Sequence, residues 1–249
     1  MPNGVKQMKI WGHRGAYDHA PENTLTGFQL AVDMGADGVE FDIQLTRDGE
    51  VVVIHDEKID RTSDGHGFVK DFTLSELKKF NFNKKGITKP LFMEIPTLDE
   101  AIQLLKLLNV RVNIEFKTGK VYYEGIEAKA LEIINKHDML EKTVWSSFNH
   151  YSIQKLKQLE LHAETALLSA SQIHVTGEQC EKTGASALHA NIKQLLYPGL
   201  VDECHKRGIK VRAWTVSKVK ELKLAQDSNV DGICTNRIDA ARKFFFRKA

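Results

Sequence analysis

The chain has 249 residues and a formal net charge of +2, with basic and acidic residues interspersed along it. That length accommodates one α/β barrel with a buried core, and the near-balanced charge excludes a nucleic-acid footprint or a polybasic membrane patch. No stretch reaches the roughly 18 apolar residues of a membrane span.

Three scattered cysteines, Cys180, Cys204 and Cys234, form no C-x-x-C pair, so reduced, packed thiols are expected instead of a disulfide framework or zinc cluster. The opening MPNGVKQMKIWGHRG lacks the charged-then-apolar layout of a secretion signal. A soluble, cytoplasmic protein is expected, without stable membrane insertion and as a monomer or homodimer.

Residues 9–13 read as a first strand. Residues 23–34 read as a helix, with Leu25, Phe28 and Val32 at helical spacing and Gly35 as its stop. Residues 37–45 and 50–54 read as strands, joined by Arg47-Asp48-Gly49 in a turn that allows a hairpin. The rhythm breaks over about 56–96. This stretch is expected to be a small insertion between early barrel strands, too short and too weakly periodic to bury its own core. Within it 74–80 reads as helical, and Phe80, Phe82, Leu91, Phe92 and Met93 are expected to pack the insertion onto the barrel.

The alternation then resumes with helix 98–108, strand 111–116, helix 123–137, strand 143–147, helix 150–160 and strand 164–168. A weaker stretch follows, with a strand at 185–190. Pro198 near the first turn and Gly208 beyond the end bracket a helix at 198–206. Strand 210–216, helix 218–226, strand 230–234 and helix 238–246 close the chain. Repeated βα units imply parallel strands with right-handed crossovers, and about eight units is the number of a (β/α)8 TIM barrel. The G-x-G-x-x-G of a doubly wound sheet is absent after the first strand. The expectation is one barrel domain over residues 1–249.

Strand parity organises the polar residues. In Val39-Glu40-Phe41-Asp42-Ile43-Gln44 the apolar side chains face one way and Glu40, Asp42 and Gln44 the other. Carboxylates at i and i+2 lie about 6.6 Å apart along a strand, close enough for an ion between them. Arg111–Phe116 and Lys117 repeat the pattern, with Asn113, Glu115 and Lys117 on the polar face. Buried acids on adjacent strands are costly unless paired or bound to metal, and three carboxylates favour a hard ion, Mg2+ or Ca2+. One Glu-x-Asp alone reads more simply as a surface or ion-paired feature; two strands sharing the parity outweigh that.

His13 and His55 each follow a strand, at the end where barrel active sites form. Each alone reads as a packing residue; together they can supply one base and one acid near neutral pH. Arg14 and Lys117 suit a phosphate, or an ordinary ion pair with the same acids. Trp214 and Phe148 suit pocket walls or plain packing. Phe244-Phe245-Phe246 reads as core-facing.

The series WGHRG with PENT, then GADGVEFDIQLTRDGEVVVIHDEKIDRTSDGHG, FTLSEL, IPTLDEA, NIEFK, WSSF, VRAWTV and DGICTN, resembles the glycerophosphodiester phosphodiesterase family from the first strand to the last. The resemblance implies a (β/α)8 barrel with a small insertion, and metal-dependent hydrolysis of small-molecule glycerophosphodiesters to glycerol 3-phosphate and an alcohol. It makes Glu40, Asp42 and Glu115 metal ligands, and His13 and His55 the acid/base pair. Arg14 and Lys117 become phosphate contacts, Glu22 and Asn23 supports of the ligand residues, and Trp214 a pocket residue. It also implies attack by the neighbouring glycerol hydroxyl, giving a cyclic phosphate that water opens. Two positions depart from the family pattern: Asn236 stands where Asp is frequent, and Ser217 where Asn is. Both are read as pocket rim, outside the metal and histidine set. Two other functions fit the same residues: a lysophospholipase D acting on acylated glycerophosphodiesters, hinted at by the apolar segment around Phe92, and a non-catalytic phosphate-ligand sensor, against which the full set of histidines and acids argues.

Overall fold

The computed structural model describes residues 8–83, 91–170 and 177–246. The middle of the expected insertion, 84–90, lies outside them. Eight parallel strands close into a barrel: β1 (Lys9–His13), β2 (Gly38–Leu45), β4 (Arg111–Phe116), β5 (Thr143–Ser147), β6 (Glu164–Ser169), β7 (Ala187–Asn191), β8 (Lys210–Trp214) and β9 (Gly232–Thr235), with β1 paired to both β2 and β9. The remaining strand, β3 (Val51–Val53), runs antiparallel to the far end of β2, with Ile43 opposite Val53 and Leu45 opposite Val51. The expected hairpin is therefore present, as an appendage to the ring of eight.

Helices α1 (Leu25–Asp33), α3 (Leu98–Leu107), α4 (Ile126–Lys136) and α5 (His150–Leu159) pack outside the barrel, as do α7 (Leu200–Lys206), α8 (Val219–Asp227) and α9 (Ile238–Phe246). The short α2 (Leu74–Leu77) lies in the 56–96 segment. Val39, Phe41, Ile43, Val112, Ile114 and Phe116 all join the core between strands and helices, which leaves Glu40, Asp42, Gln44, Asn113 and Glu115 for the interior. Helix starts follow side-chain chemistry: Thr24 accepts from Gly27 N, and Thr97 with Glu100, like Thr73 with Glu76, closes a reciprocal capping box. Inside the barrel Trp11 sits among Val144, Ala166 and Ala187, whose small size makes room for its ring. A Cβ on Gly38 would meet that ring at 2.5 Å.

Several boundaries differ from the sequence expectation. The first helix starts at Leu25, because Asn23 has φ +56° and cannot be helical. Pro198 stands ahead of Gly199, the N-cap of α7, instead of at its first turn. A further helix, α6 (Gly177–Thr183), occupies the stretch read as irregular; it is short and carries only Gly177 and Cys180 as buried residues, so it shows little apolar periodicity. The 56–96 segment gathers Ile59, Val69, Leu77, Phe82 and Ile95 against Val52 and Ile54 from the β3 side. Leu91 and Phe92 are exposed and contribute nothing to that packing. Phe244, Phe245 and Phe246 pack partly buried against the main core, as expected. Among the described residues no helix is long and apolar enough to cross a membrane.

Candidate active site

The backbone of His13-Arg14-Gly15 turns sharply where β1 ends. Gly15 has φ +84°, and a Cβ there would strike the Gly27 backbone at 2.8 Å. Arg14 at φ +53° and Asn23 at φ +56° are also left-handed, a conformation that costs roughly 1–3 kcal/mol each for such residues. Both strained positions serve the same acids. The Arg14 amide donates to Glu40 Oε2 at 3.0 Å, and the Asn23 side-chain amide donates to Asp42 Oδ2 at 3.0 Å.

Glu40, Asp42 and Glu115 converge, each offering a carboxylate oxygen within 4.8 Å of the others, and all three are buried. At an effective dielectric of about 20, two such charges repel by roughly 3 kcal/mol. Two cations oppose them. Arg14 Nε lies 3.6 Å from Asp42, and Lys117 Nζ lies 2.8 Å from Glu115 Oε1 and 3.7 Å from Asp42 Oδ1. The acids respond unequally. Burial works against the Asp42 charge, but Arg14 and Lys117 outweigh it and hold that carboxyl well below the usual range. Burial and the Asp42 charge push Glu115 up to about 7 and Glu40 well above its ordinary value.

Asp42 Oδ1 is a buried oxygen with no hydrogen-bond donor. An ionised, under-satisfied carboxylate oxygen beside two others is a donor set of hard oxygens, and it fits a hard divalent cation. With all three acids ionised, the cluster and its two cations carry one net negative charge, which such an ion would reverse.

The two histidines differ in their partners. His13 Nδ1 lies 2.7 Å from Asn236 Oδ1, and His55 Nδ1 lies 2.6 Å from Asp56 Oδ1. Burial, together with the neighbouring Arg14, lowers the His13 pKa to about 4. Asp56 is itself held down to about 2: burial opposes its charge, but hydrogen bonds from Arg61 and His55 prevail. Arg61 also clasps Glu22, at 2.5 and 2.8 Å, and Glu22 accepts from Arg14 at 2.9 Å. One chain of ion pairs thus runs from the His55 loop to the carboxylate cluster.

His13, Arg14, Glu40, His55, Glu115, Phe148 and Trp214 line a single pocket. Asp42 lies behind it, fully buried. Phe148 and Trp214 meet edge to face at 5.4 Å on its wall, and the Trp214 indole donates to His189 O at 2.9 Å. Of the residues expected to contact phosphate, Arg14 and Lys117 both reach the acids. Glu22 and Asn23 hold Arg14 and Asp42 respectively.

Several participants went unread in the sequence. Asn236, expected at the rim, touches His13 directly. Gln44 shares the strand parity of Asp42, a usable signal; its amide nitrogen lies 2.8 to 3.1 Å from the carbonyls of Ile54, His55 and Asp56, and Tyr123 donates to its oxygen at 2.8 Å. Arg61 gave no signal, because its partner Glu22 is 39 positions away. Ser217 lies off the pocket, its backbone amide donating to Glu221. The cysteines are free; Cys180 and Cys204 are buried, and Cys234 lines the pocket half-buried.

The glycerophosphoryl diester phosphodiesterase family model matches residues 13–240. The chain belongs to this family. A glycerophosphodiester phosphodiesterase of Caldanaerobacter subterraneus subsp. tengcongensis is 41% identical over 227 residues, which are 91% of this chain and 93% of that protein. Another from Bacillus altitudinis is 36% identical, covering 94% of this chain and 97% of that one. Among solved structures, an Oleispira antarctica phosphodiesterase in complex with the product sn-glycerol-3-phosphate superposes with a TM-score of 0.86 at 26% identity, covering 96% of each chain. The family assignment and the eight-stranded barrel agree with the resemblance carried by the HRG, PENT, ExD and HD motifs.

Proposed function

We propose that the protein hydrolyses glycerophosphodiesters to glycerol 3-phosphate and an alcohol, with a divalent ion at Glu40, Asp42 and Glu115 and proton transfer at His13 and His55. The observation that carries the reading is the convergence of three buried carboxylates beside two histidines with unlike partners, in a chain of this family. The Oleispira relative's bound glycerol 3-phosphate supports the product side. Residues 1–249 form one barrel domain on this reading, with the 56–96 insertion supplying Asp56 and Arg61.

The partners divide the proton work. A carboxamide oxygen only accepts, so the proton of neutral His13 sits on Nδ1 and the free lone pair on Nε2. His13 is neutral at pH 7 and suited to act as a base. An imidazolium at His55 carries its charge beside the Asp56 carboxylate, with Nε2–H free to donate. In the first step His13 Nε2 takes the proton of the attacking glycerol hydroxyl, its oxygen bonds to phosphorus, and His55 protonates the departing alkoxide. In the second, His55 takes a proton from water as the cyclic ester opens, and His13 returns its proton to the glycerol oxygen. A bound Mg2+ or Ca2+ would draw negative charge from the phosphoryl oxygens. Arg14 adds fixed positive charge on the same side, and Phe148 with Trp214 covers the apolar face of the substrate.

Release of choline and glycerol 3-phosphate from glycerophosphocholine tests the reading. Turnover is expected to stop in EDTA and to return with Mg2+ or Ca2+; full turnover after exhaustive chelation removes the metal from the account. Rates on lysophosphatidylcholine, measured beside these, are expected to be lower.

A further inference from the structure

Cationic side chains gather at the end of the barrel opposite the catalytic pocket. Lys9, Arg111 and Lys210 are the first residues of β1, β4 and β8, and Lys142 immediately precedes β5. With Arg212 they line a basal cavity of about 520 Å3. Carboxylates there are fewer and already shared. Glu164 accepts from Arg111 at 2.5 Å, Lys210 at 3.1 Å and Arg212 at 2.5 Å at once. Asp37 faces both Lys9 and Arg242, and Asp231 is held by His205 and the Val211 amide. Among the described residues Lys142 reaches the Asn109 side-chain oxygen and no carboxylate. Arg111 Nε is buried without a hydrogen-bond partner.

We propose that this basal cavity binds a divalent oxyanion of the phosphate class, gripped by Arg111, Lys142 and Lys210 and resting against Arg212. Five cations against three carboxylates select an anion, and donors left over on the guanidinium and ammonium groups select oxygen acceptors. Arg212 also forms part of the catalytic pocket's wall, where its Nη1 lies 3.0 Å from His189 Nε2. An anion at the base therefore rests against the guanidinium that holds the floor of the catalytic pocket. The site stands apart from the carboxylate cluster.

Selenate is a suitable probe: a tetrahedral divalent oxyanion whose selenium can be located by anomalous scattering. The experiment pairs selenate-soaked crystals with calorimetric titration of the wild type and of K142Q/K210Q at low ionic strength, where such contacts are least screened. An anomalous peak between Arg111, Lys142 and Lys210 is expected, with binding at least about tenfold weaker in the double variant. Hydrolysis of glycerophosphocholine by that variant is expected to be unchanged. The charge-retaining pair K142R/K210R should bind as the wild type does; loss of binding there too would mark a packing effect and overturn the site. A peak only beside His13 and Arg14, or equal binding by wild type and K142Q/K210Q, also overturns it. So does a basal peak without titratable binding at millimolar selenate, an adventitious ion only.

Discussion

His13 Nδ1 and Asn236 Oδ1 lie 2.7 Å apart, although 223 positions separate the two residues. β1 and β9 are neighbours in the closed barrel, with Gly12 opposite Thr235, so the loop after β9 delivers Asn236 to the end of β1. The contact fixes the proton of neutral His13 on Nδ1 without placing a negative charge beside the ring. His55 has the opposite arrangement, with the Asp56 carboxylate against its Nδ1. The two histidines are thus chemically distinct, and the proposed division of acid and base rests on their partners.

Asn236→Asp should alter His13 specifically. A carboxylate in place of the amide favours the protonated ring and raises its pKa from about 4. Because the base must be unprotonated, the acidic limb of kcat/KM against pH is expected to move up by about one to two units. An unmoved acidic limb in this variant would show that His13 is not the base.

Glu22→Gln removes the acid that ties Arg14 to Arg61. Glu22 is buried while Arg61 is partly exposed, so the stability loss should fall below the full cost of breaking a buried pair, at about 1–3 kcal/mol in denaturant titration. Arg14 also loses its anchor, so kcat/KM is expected to fall about tenfold or more. Wild-type kinetics would mean that Arg14 is positioned by Asp42 and the backbone alone.

In metal-free protein the contribution of Glu115 to stability should fall as pH rises. Glu115, ordinarily near 4.5, titrates at about 7 in the fold because burial and the Asp42 charge oppose its ionisation. A raised folded pKa means that the native state binds more protons between these values, so stability is full below about 4.5 and is lost as pH rises through 7. The loss should be on the order of 3 kcal/mol. Divalent ion should reverse it and release protons on binding. Thermal denaturation of the wild type and of Glu115→Gln at pH 5 and pH 8, with EDTA or Mg2+, checks this, because His13 and His189, whose lowered pKa values act in the opposite sense, titrate in both proteins; identical metal-free profiles in the two contradict it.

Residues with local signals were legible in the sequence. Alternation along β2 and β4 placed Glu40, Asp42 and Glu115 on the interior face, because Val39, Phe41, Val112 and Ile114 could only go to the core beneath the helices. Turn chemistry at Arg47-Asp48-Gly49 gave the hairpin. The helical spacing of Leu25, Phe28 and Val32 does not extend back to Asn23, whose left-handed backbone accompanies its side-chain hydrogen bond to Asp42. Partnerships such as Asn236 with His13, or Arg61 with Glu22, depend on barrel closure and on the path of the insertion, which no local pattern carries. The unequal roles proposed for two similar histidines rest only on those partners.

A change of leaving group tests that division most directly. From glycerophosphocholine, choline leaves as an alkoxide that needs a proton, whereas the p-nitrophenyl ester of glycerol phosphate expels a stable phenolate that needs none. With His55 as the acid, His55→Ala should lose about 10²–10⁴ in rate on glycerophosphocholine, yet its single-turnover release of nitrophenol, which precedes opening of the cyclic ester, should stay within about tenfold of wild type. His13→Ala, lacking the base, should lose about 10²–10⁴ on both. If instead His13→Ala is spared on the nitrophenyl ester and His55→Ala is not, the assignment is reversed and the account of the two partners is wrong.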